Sequence, residues 1–129
     1  MRAVAIWRGG YRADCEVRQF RMTVDEAVEY GGDDAGPMPT ELLVAALASC
    51  FALAVAHAAM KRRVSLPDLT VWAESFRAEG DLRYDRFVVE VQSSYGTGLG
   101  RLVEAAKRYC FVSSTLLNGA EIEYRSAPS

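Results

Sequence analysis

Three cysteines, Cys15, Cys50 and Cys110, and one histidine, His57, are the soft nucleophiles and metal ligands of this chain. Cys50 lies in an apolar run, within Leu47-Ala48-Ser49-Cys50-Phe51. A thiol there is either a small packed hydrophobe, the commoner fate of free cysteine, or a nucleophile held in a dry pocket. Spacing alone does not choose between them. Cys110 opens Cys110-Phe111-Val112-Ser113-Ser114-Thr115-Leu116, where the free amides of a new helical turn would stabilise a thiolate. Its plain alternative is a packed residue at a helix break. Cys15 falls in a strand-like stretch and has only burial to recommend it.

Other chemistries fall away on geometry. His57 follows Cys50 by two helical turns, on the same face but roughly 10.5 Å along the axis, beyond the reach of a thiol-imidazole hydrogen bond. An intrahelical Cys-His dyad is excluded. One histidine and three scattered cysteines have no zinc-ligand spacing, so no metal site is expected. Gly96-Thr97-Gly98-Leu99-Gly100 has the glycine content of a phosphate loop, but Arg101 stands where the dinucleotide fingerprint needs glycine and no Lys-Ser/Thr pair follows. A flexible loop with Thr97 as a helix cap is expected there. Asp33-Asp34 and Lys61-Arg62-Arg63 read as solvated charges.

The elements that must position these residues follow from periodicity. Residues 42–60 are apolar except for Ser49, Cys50 and His57, which is long enough for a membrane span. Eight of these nineteen residues are alanine, which adds little transfer energy, so a buried helix is the better reading. Pro37 and Pro39 precede it and the basic run follows, suiting the two ends of a helix over Met38 to Arg62. At 1.5 Å per residue this helix is roughly 37 Å long, more than the core of so small a domain can cover, and a helix apolar on all sides needs cover on all sides. A second copy of the chain is the expected cover, hence a homodimer.

Around that helix the pattern predicts mostly strands. Residues 3–7 and 20–24 alternate and read as an N-terminal hairpin with Gly9-Gly10-Tyr11 at its turn, and residues 31–37 read as a loop. Residues 69–78 and 86–92 make a second hairpin. Leu99, Leu102, Val103, Ala106 and Tyr109 have helical spacing, and Ala120, Ile122 and Tyr124 alternate as a last strand. The whole, residues 1–129, reads as one α+β domain.

Composition narrows the function classes. Fifteen basic against 17 acidic residues give a net charge of -2, without the basic excess that phosphate-backbone binding needs, so nucleic acid is not an expected partner. The first residues lack the apolar core of a signal peptide, and the expected location is cytoplasmic. Three cysteines cannot all pair within one chain, so at least one is free.

Two stretches together point to a family. Gly31-Gly32, followed by residues 36–50 (Gly36-Pro37-Met38-Pro39-Thr40-Glu41 through Ser49-Cys50), resembles the central signature of the osmotically inducible protein C and organic hydroperoxide resistance (OsmC/Ohr) family, and residues 110–116 resemble its second signature. The resemblance implies an intertwined α+β homodimer, with a central helix from each subunit wrapped by curved antiparallel sheets. It also implies thiol peroxidase chemistry without a cofactor: Cys50 attacks an organic hydroperoxide, Cys110 resolves the sulfenic acid as a disulfide, and a thiol reductant restores the pair. A thiol in a helix interior needs a cation to ionise. The resemblance assigns that cation to Arg12, with Arg18 in reserve.

This chain departs from the family at two places. Peroxidase members carry an acid just after the signature's proline, where this chain has Thr40 and only then Glu41. Nine residues before Cys50, Glu41 is half a turn out of phase with it, so it serves either the partner's pocket or the positive end of its own helix. Phe111 replaces the family's proline. Both departures leave a second reading open, a non-catalytic module of the same fold that binds a small apolar ligand at the dimer interface.

Overall fold

Residues 3–24 form three strands in the computed structural model, where the alternation pattern predicts two; the structure describes residues 1–128. Strand β1 (Val4–Trp7) pairs antiparallel with β2 (Ala13–Val17), and β2 pairs with β3 (Phe20–Val24), so β1 and β3 are not neighbours. Gly9 and Gly10, at φ 98° and 57°, reverse the chain at once, and the bond from Arg8 N–H to Arg12 O (2.9 Å) closes the turn. A hairpin from this turn must use the next residues, Ala13–Val17, as its return strand. Cys15 lies in that strand, between Ala5 and Met22.

The chain forms two compact units, residues 1–45 and a second beginning at Ala46. In the first, β3 ends at the buried pair Val24 and Asp25, and the loop that follows wraps around the Asp25 side chain. This loop leads into helix α1 (Pro39–Lys61), which starts and stops within a residue of the predicted limits and continues into the second unit.

In the second unit, α1 buries one stripe: Leu47, Phe51, Ala54, Val55, Ala58 and Ala59, at the i, i+4, i+7 spacing of one helix face. The stripe from Phe51 onward packs with Leu102, Ala105, Ala106 and Cys110, and Val71, Val89 and Val91 flank the cluster. The valines come from a hairpin of β4 (Thr70–Arg77) and β5 (Tyr84–Gln92), paired in the predicted order with an irregularity at Phe76/Arg77. Leu102, Ala105 and Ala106 belong to α2 (Leu99–Ala106); a 3₁₀ turn and then α3 (Phe111–Asn118) follow. Gly98, not Thr97, occupies the N-cap of α2, and no side chain caps that end.

The predicted last strand does not form: residues 119–128 lie outside any strand, with Ile122 and Tyr124 exposed. A strand exists only by hydrogen bonding to a neighbour, and this segment pairs with no edge of its own chain. Mixed α and β structure with antiparallel sheets is nevertheless what the sequence predicts. By length and composition α1 is apolar enough to cross a membrane; its buried stripe is packed in protein, while Leu53 and Met60 on other faces remain 72% and 68% exposed.

Candidate active site

Cys50 and Cys110 meet in the second unit. Cys50 comes from the middle of α1 and is half-buried, Cys110 from the N-cap of α3, where it is 1% exposed, and both are unlinked thiols. Cys50 packs against the buried cluster that contains Cys110, and each thiol acts on the ionisation of the other. The predicted new helical turn at Cys110 is present, and its amides do what the first amides of a helix can do. Ser113 N–H donates to the Cys110 sulfur at 3.4 Å, while the Ser113 hydroxyl donates to the Cys110 carbonyl at 3.2 Å.

The two sulfurs sit in opposite electrostatic conditions. Burial pushes the Cys50 thiol up, and its bond to Cys110 adds to this, outweighing the amides of Val112 and Phe111. Burial also acts on Cys110, but Ser113, the Cys50 thiol and the Val112 amide outweigh it and hold Cys110 below the usual thiol range. Phe111 has a direct part here. Proline in its place would lack the N–H that reaches Cys50.

Arg12 and Glu41 belong to the first unit, each with partners of its own. The Arg12 guanidinium lies between two carboxylates, Nε at 3.9 Å from Asp25 Oδ2 and one terminal nitrogen at 3.6 Å from Asp33 Oδ2. Its Nε is sealed from solvent without a hydrogen bond. Arg18 differs: it occupies the β2–β3 turn at φ 52° and stacks on the Phe20 ring at 5.0 Å. Glu41 reaches back to accept the Met38 N–H at 2.9 Å, the acidic half of a capping box at the start of α1.

Asp25 is the buried charged residue that sequence reasoning missed. It is 1% exposed and accepts N–H bonds from Glu26 (2.8 Å), Asp33 (3.2 Å) and Ala35 (3.1 Å). Burial alone would raise its pKa, but those three amides and the Arg12 charge hold the carboxyl below the ordinary range. The only sequence signal was an acidic residue at a strand end before a glycine-rich loop. Asp33, read as a solvated charge, is exposed but paired with Arg12. No cluster able to hold a metal ion occurs among the described residues.

An unlinked pair of neighbouring thiols, one at a helix N-cap and one inside an apolar helix, sits on an α+β frame. The model for OsmC-like proteins matches residues 31–125, and the chain belongs to the OsmC-like family. Solved structures with the same fold include an organic hydroperoxide resistance protein OsmC from Legionella pneumophila, at 23% identity and TM-score 0.66, covering 88% of this chain and 86% of that one. An OsmC-like protein from Mycoplasma pneumoniae matches at 16% identity and TM-score 0.76, covering 90% and 86%. OhrB of Bacillus subtilis matches at 20% identity and TM-score 0.64, covering 88% of each. A search of curated protein sequences finds no match.

Proposed function

We propose that this chain is a cysteine-dependent peroxidase for organic hydroperoxides, with Cys50 attacking and Cys110 resolving. The observation that carries this reading is the placing of two free thiols in one packed cluster, the more exposed of which lies in an apolar helix. The Cys50 sulfur takes the terminal oxygen of the hydroperoxide, the O–O bond breaks, and an alcohol leaves. Cys110 then condenses with the sulfenic acid to a disulfide and water, and an external thiol reduces the disulfide. No cofactor enters the cycle. A dithiol that must be returned to its reduced form suits the cytoplasm.

The test is a thiol count. About one equivalent of an organic hydroperoxide should remove two thiols per subunit, by the disulfide step of the oxidation ladder. Peptide mapping should join Cys50 to Cys110 and leave Cys15 free. Retention of all thiols would refute the peroxidase reading.

Arg12 is the cation we assign to this dithiol, because its guanidinium is fixed by Asp25 and Asp33 whereas Arg18 is occupied with Phe20. It favours loss of the pair's first proton whichever sulfur carries the charge. Arg12→Ala should therefore move the pH profile of peroxide reduction upward and slow the reaction at neutral pH, by about tenfold for one unit of pKa. Arg18→Ala should be much milder. The reverse ranking would show the assignment to be wrong.

The working unit in this proposal is a homodimer. Leu53 and Met60 on α1, and Ile122 and Tyr124 in the unpaired C-terminal segment, are apolar groups that a second copy would cover. The hydrodynamic mass at micromolar concentration should be near twice 14.2 kDa. A stable monomer would contradict this.

One observation favours the second reading, a binding module. A cavity of about 560 Å³ has a mixed lining, with Leu47, Phe87 and Leu117 among its apolar residues and the charged Arg83, Asp85 and Arg86 on its wall. Leu47 is one turn from Cys50, and a few charged groups on a partly apolar wall suit a small ligand with or without chemistry.

A further inference from the structure

Asp25 is the buried side chain that the proposed chemistry leaves without a task. Its carboxylate is 1% exposed and fixed at both oxygens: Oδ1 accepts the Glu26 N–H at 2.8 Å, and Oδ2 accepts those of Asp33 and Ala35 at 3.2 and 3.1 Å. A charge taken out of water needs a partner. The cation paired with it is Arg12, whose Nε lies 3.9 Å from Oδ2.

The guanidinium is held more loosely than the carboxylate. Its Nε is sealed from solvent without a hydrogen bond, and its two ion pairs are 3.9 and 3.6 Å long, so charge rather than a fork of hydrogen bonds keeps it in place. Such a side chain is aimed only as well as the anion beside it is fixed. Asp33 has an 85% exposed side chain, in water that screens the pair. Glu41, the acid expected at the site, is engaged with the Met38 N–H. Asp25 alone of the three is immobile.

We propose that Asp25 is the positioning residue of Arg12: its buried, immobilised carboxylate aims the guanidinium and, through it, supports the Cys50 thiolate. The second half rests on the peroxidase reading and its assignment of Arg12. Asp25 itself touches no reacting atom. Two roles for this carboxylate predict opposite signs. An anion near a thiol disfavours the thiolate, so loss of the Asp25 charge would by its field alone favour ionisation of Cys50. Loss of an aiming group disfavours ionisation, because the cation leaves its place.

The other charged groups leave this assignment intact. Glu26 and Asp34 meet Asp25 through the backbone, the first by its N–H and the second by a bond from its own N–H to the Glu26 carbonyl at 3.1 Å. In its own unit Cys50 answers to burial, to Cys110 and to the amides of Val112 and Phe111, none of them a cation. Lys107 and Arg108 before Cys110 are exposed, and His57, two turns along α1, lies edge-on to Tyr109 at a ring separation of 4.7 Å.

Alkylation by iodoacetamide, resolved at Cys50 by peptide mass spectrometry and followed against pH, reads the thiolate without any peroxide. Arg12→Ala and Asp25→Asn should both move the profile upward, slowing alkylation at neutral pH by about tenfold and by about three- to tenfold. Asp33→Asn should change it by about twofold at most. The double variant Arg12→Ala/Asp25→Asn should be no slower than Arg12→Ala, since an aiming group has nothing left to aim. A profile that moves downward or stays in place in Asp25→Asn, or a double variant slower than Arg12→Ala, overturns the proposal. The unsubstituted protein supplies a measurement that does not depend on how the variants fold. Its Arg12 ¹⁵Nε resonance should titrate with the Asp25 carboxyl carbon, below the usual carboxylate range, and a resonance that follows Asp33 instead overturns the proposal. If alkylation shifts as expected and no form consumes a hydroperoxide, the peroxidase reading fails and the positioning role stands. If hydroperoxide is consumed while both single variants leave the alkylation profile in place, the positioning role fails and the peroxidase reading stands.

Discussion

Cys50→Ser is expected to reduce hydroperoxide consumption to the level of free solution, while Cys15→Ser leaves it unchanged. A serine hydroxyl is not ionised at neutral pH and does not attack the O–O bond at a comparable rate, whereas sulfur is nucleophilic even as a small thiolate fraction. The structure adds a reason why no second residue rescues the loss. Cys110 is 1% exposed, so its sulfur is closed to a hydroperoxide from solvent. In Cys110→Ser the product of attack should instead accumulate on Cys50 as sulfenic and then sulfinic acid, because no neighbouring thiol condenses with it. Mass spectrometry after a single addition of hydroperoxide separates these outcomes. Substantial consumption by Cys50→Ser would place the nucleophile elsewhere and overturn the assignment of roles.

What the sequence shows and what it hides follow from the range of the interactions involved. Helix α1 was legible because its apolar run and flanking prolines are local signals, and the β4–β5 hairpin because its alternation is. Cys110 at the start of a helical turn was legible for the same reason. The role of Glu41 was narrowed to two by phase alone, and its bond to the Met38 N–H is the local one. Cys15 was rightly placed in a strand, but that strand was left out of the hairpin because Ala13–Val17 is short and carries two acids. Only the tight Gly9-Gly10 reversal makes it the partner of β1. The last strand was misread because its alternation is real while pairing requires an edge, and no sequence pattern says whether one is within reach.

The difference between the two thiols was the least legible part. Apolar context marks Cys50 as a thiol whose pKa burial raises, but the packing that brings it to Cys110 joins residues sixty apart in sequence, on different helices. Asp25 was hidden in the same way. Its partners Asp33, Ala35 and Arg12 are scattered over the loop and the first turn, and only folding places them around one carboxylate. A sequence reading sees four separate polar residues.

That scattered cluster makes the loop glycines the positions where stability should be most sensitive. Gly36 → Ala would drive a Cβ into the Thr23 carbonyl, and Gly32→Ala into the Glu26 carbonyl, with Asp25 Oδ1 only 2.8 Å away. Both obstacles are backbone, which cannot rotate aside as the tip of a side chain can. Relief requires moving the loop itself, and the loop is fixed by the Asp25 bonds and by the bond from Asp25 N–H to Pro37 O at 3.2 Å. Overpacking typically costs 1–3 kcal/mol, and for a backbone clash on this framework the loss should be about 3 kcal/mol or more. Gly100→Ala is the control: it lies inside α2 with open space around its Cβ position, so alanine should stabilise by about 0.5–1 kcal/mol through helix propensity. Denaturant midpoints should therefore move in opposite directions for Gly36→Ala and Gly100→Ala. The same displacement would loosen Asp25 and Asp33 from the Arg12 guanidinium, so Gly36→Ala should also shift the pH profile of peroxide reduction in the direction of Arg12→Ala. A Gly36→Ala protein with the wild-type midpoint would mean that the loop is not packed against Thr23.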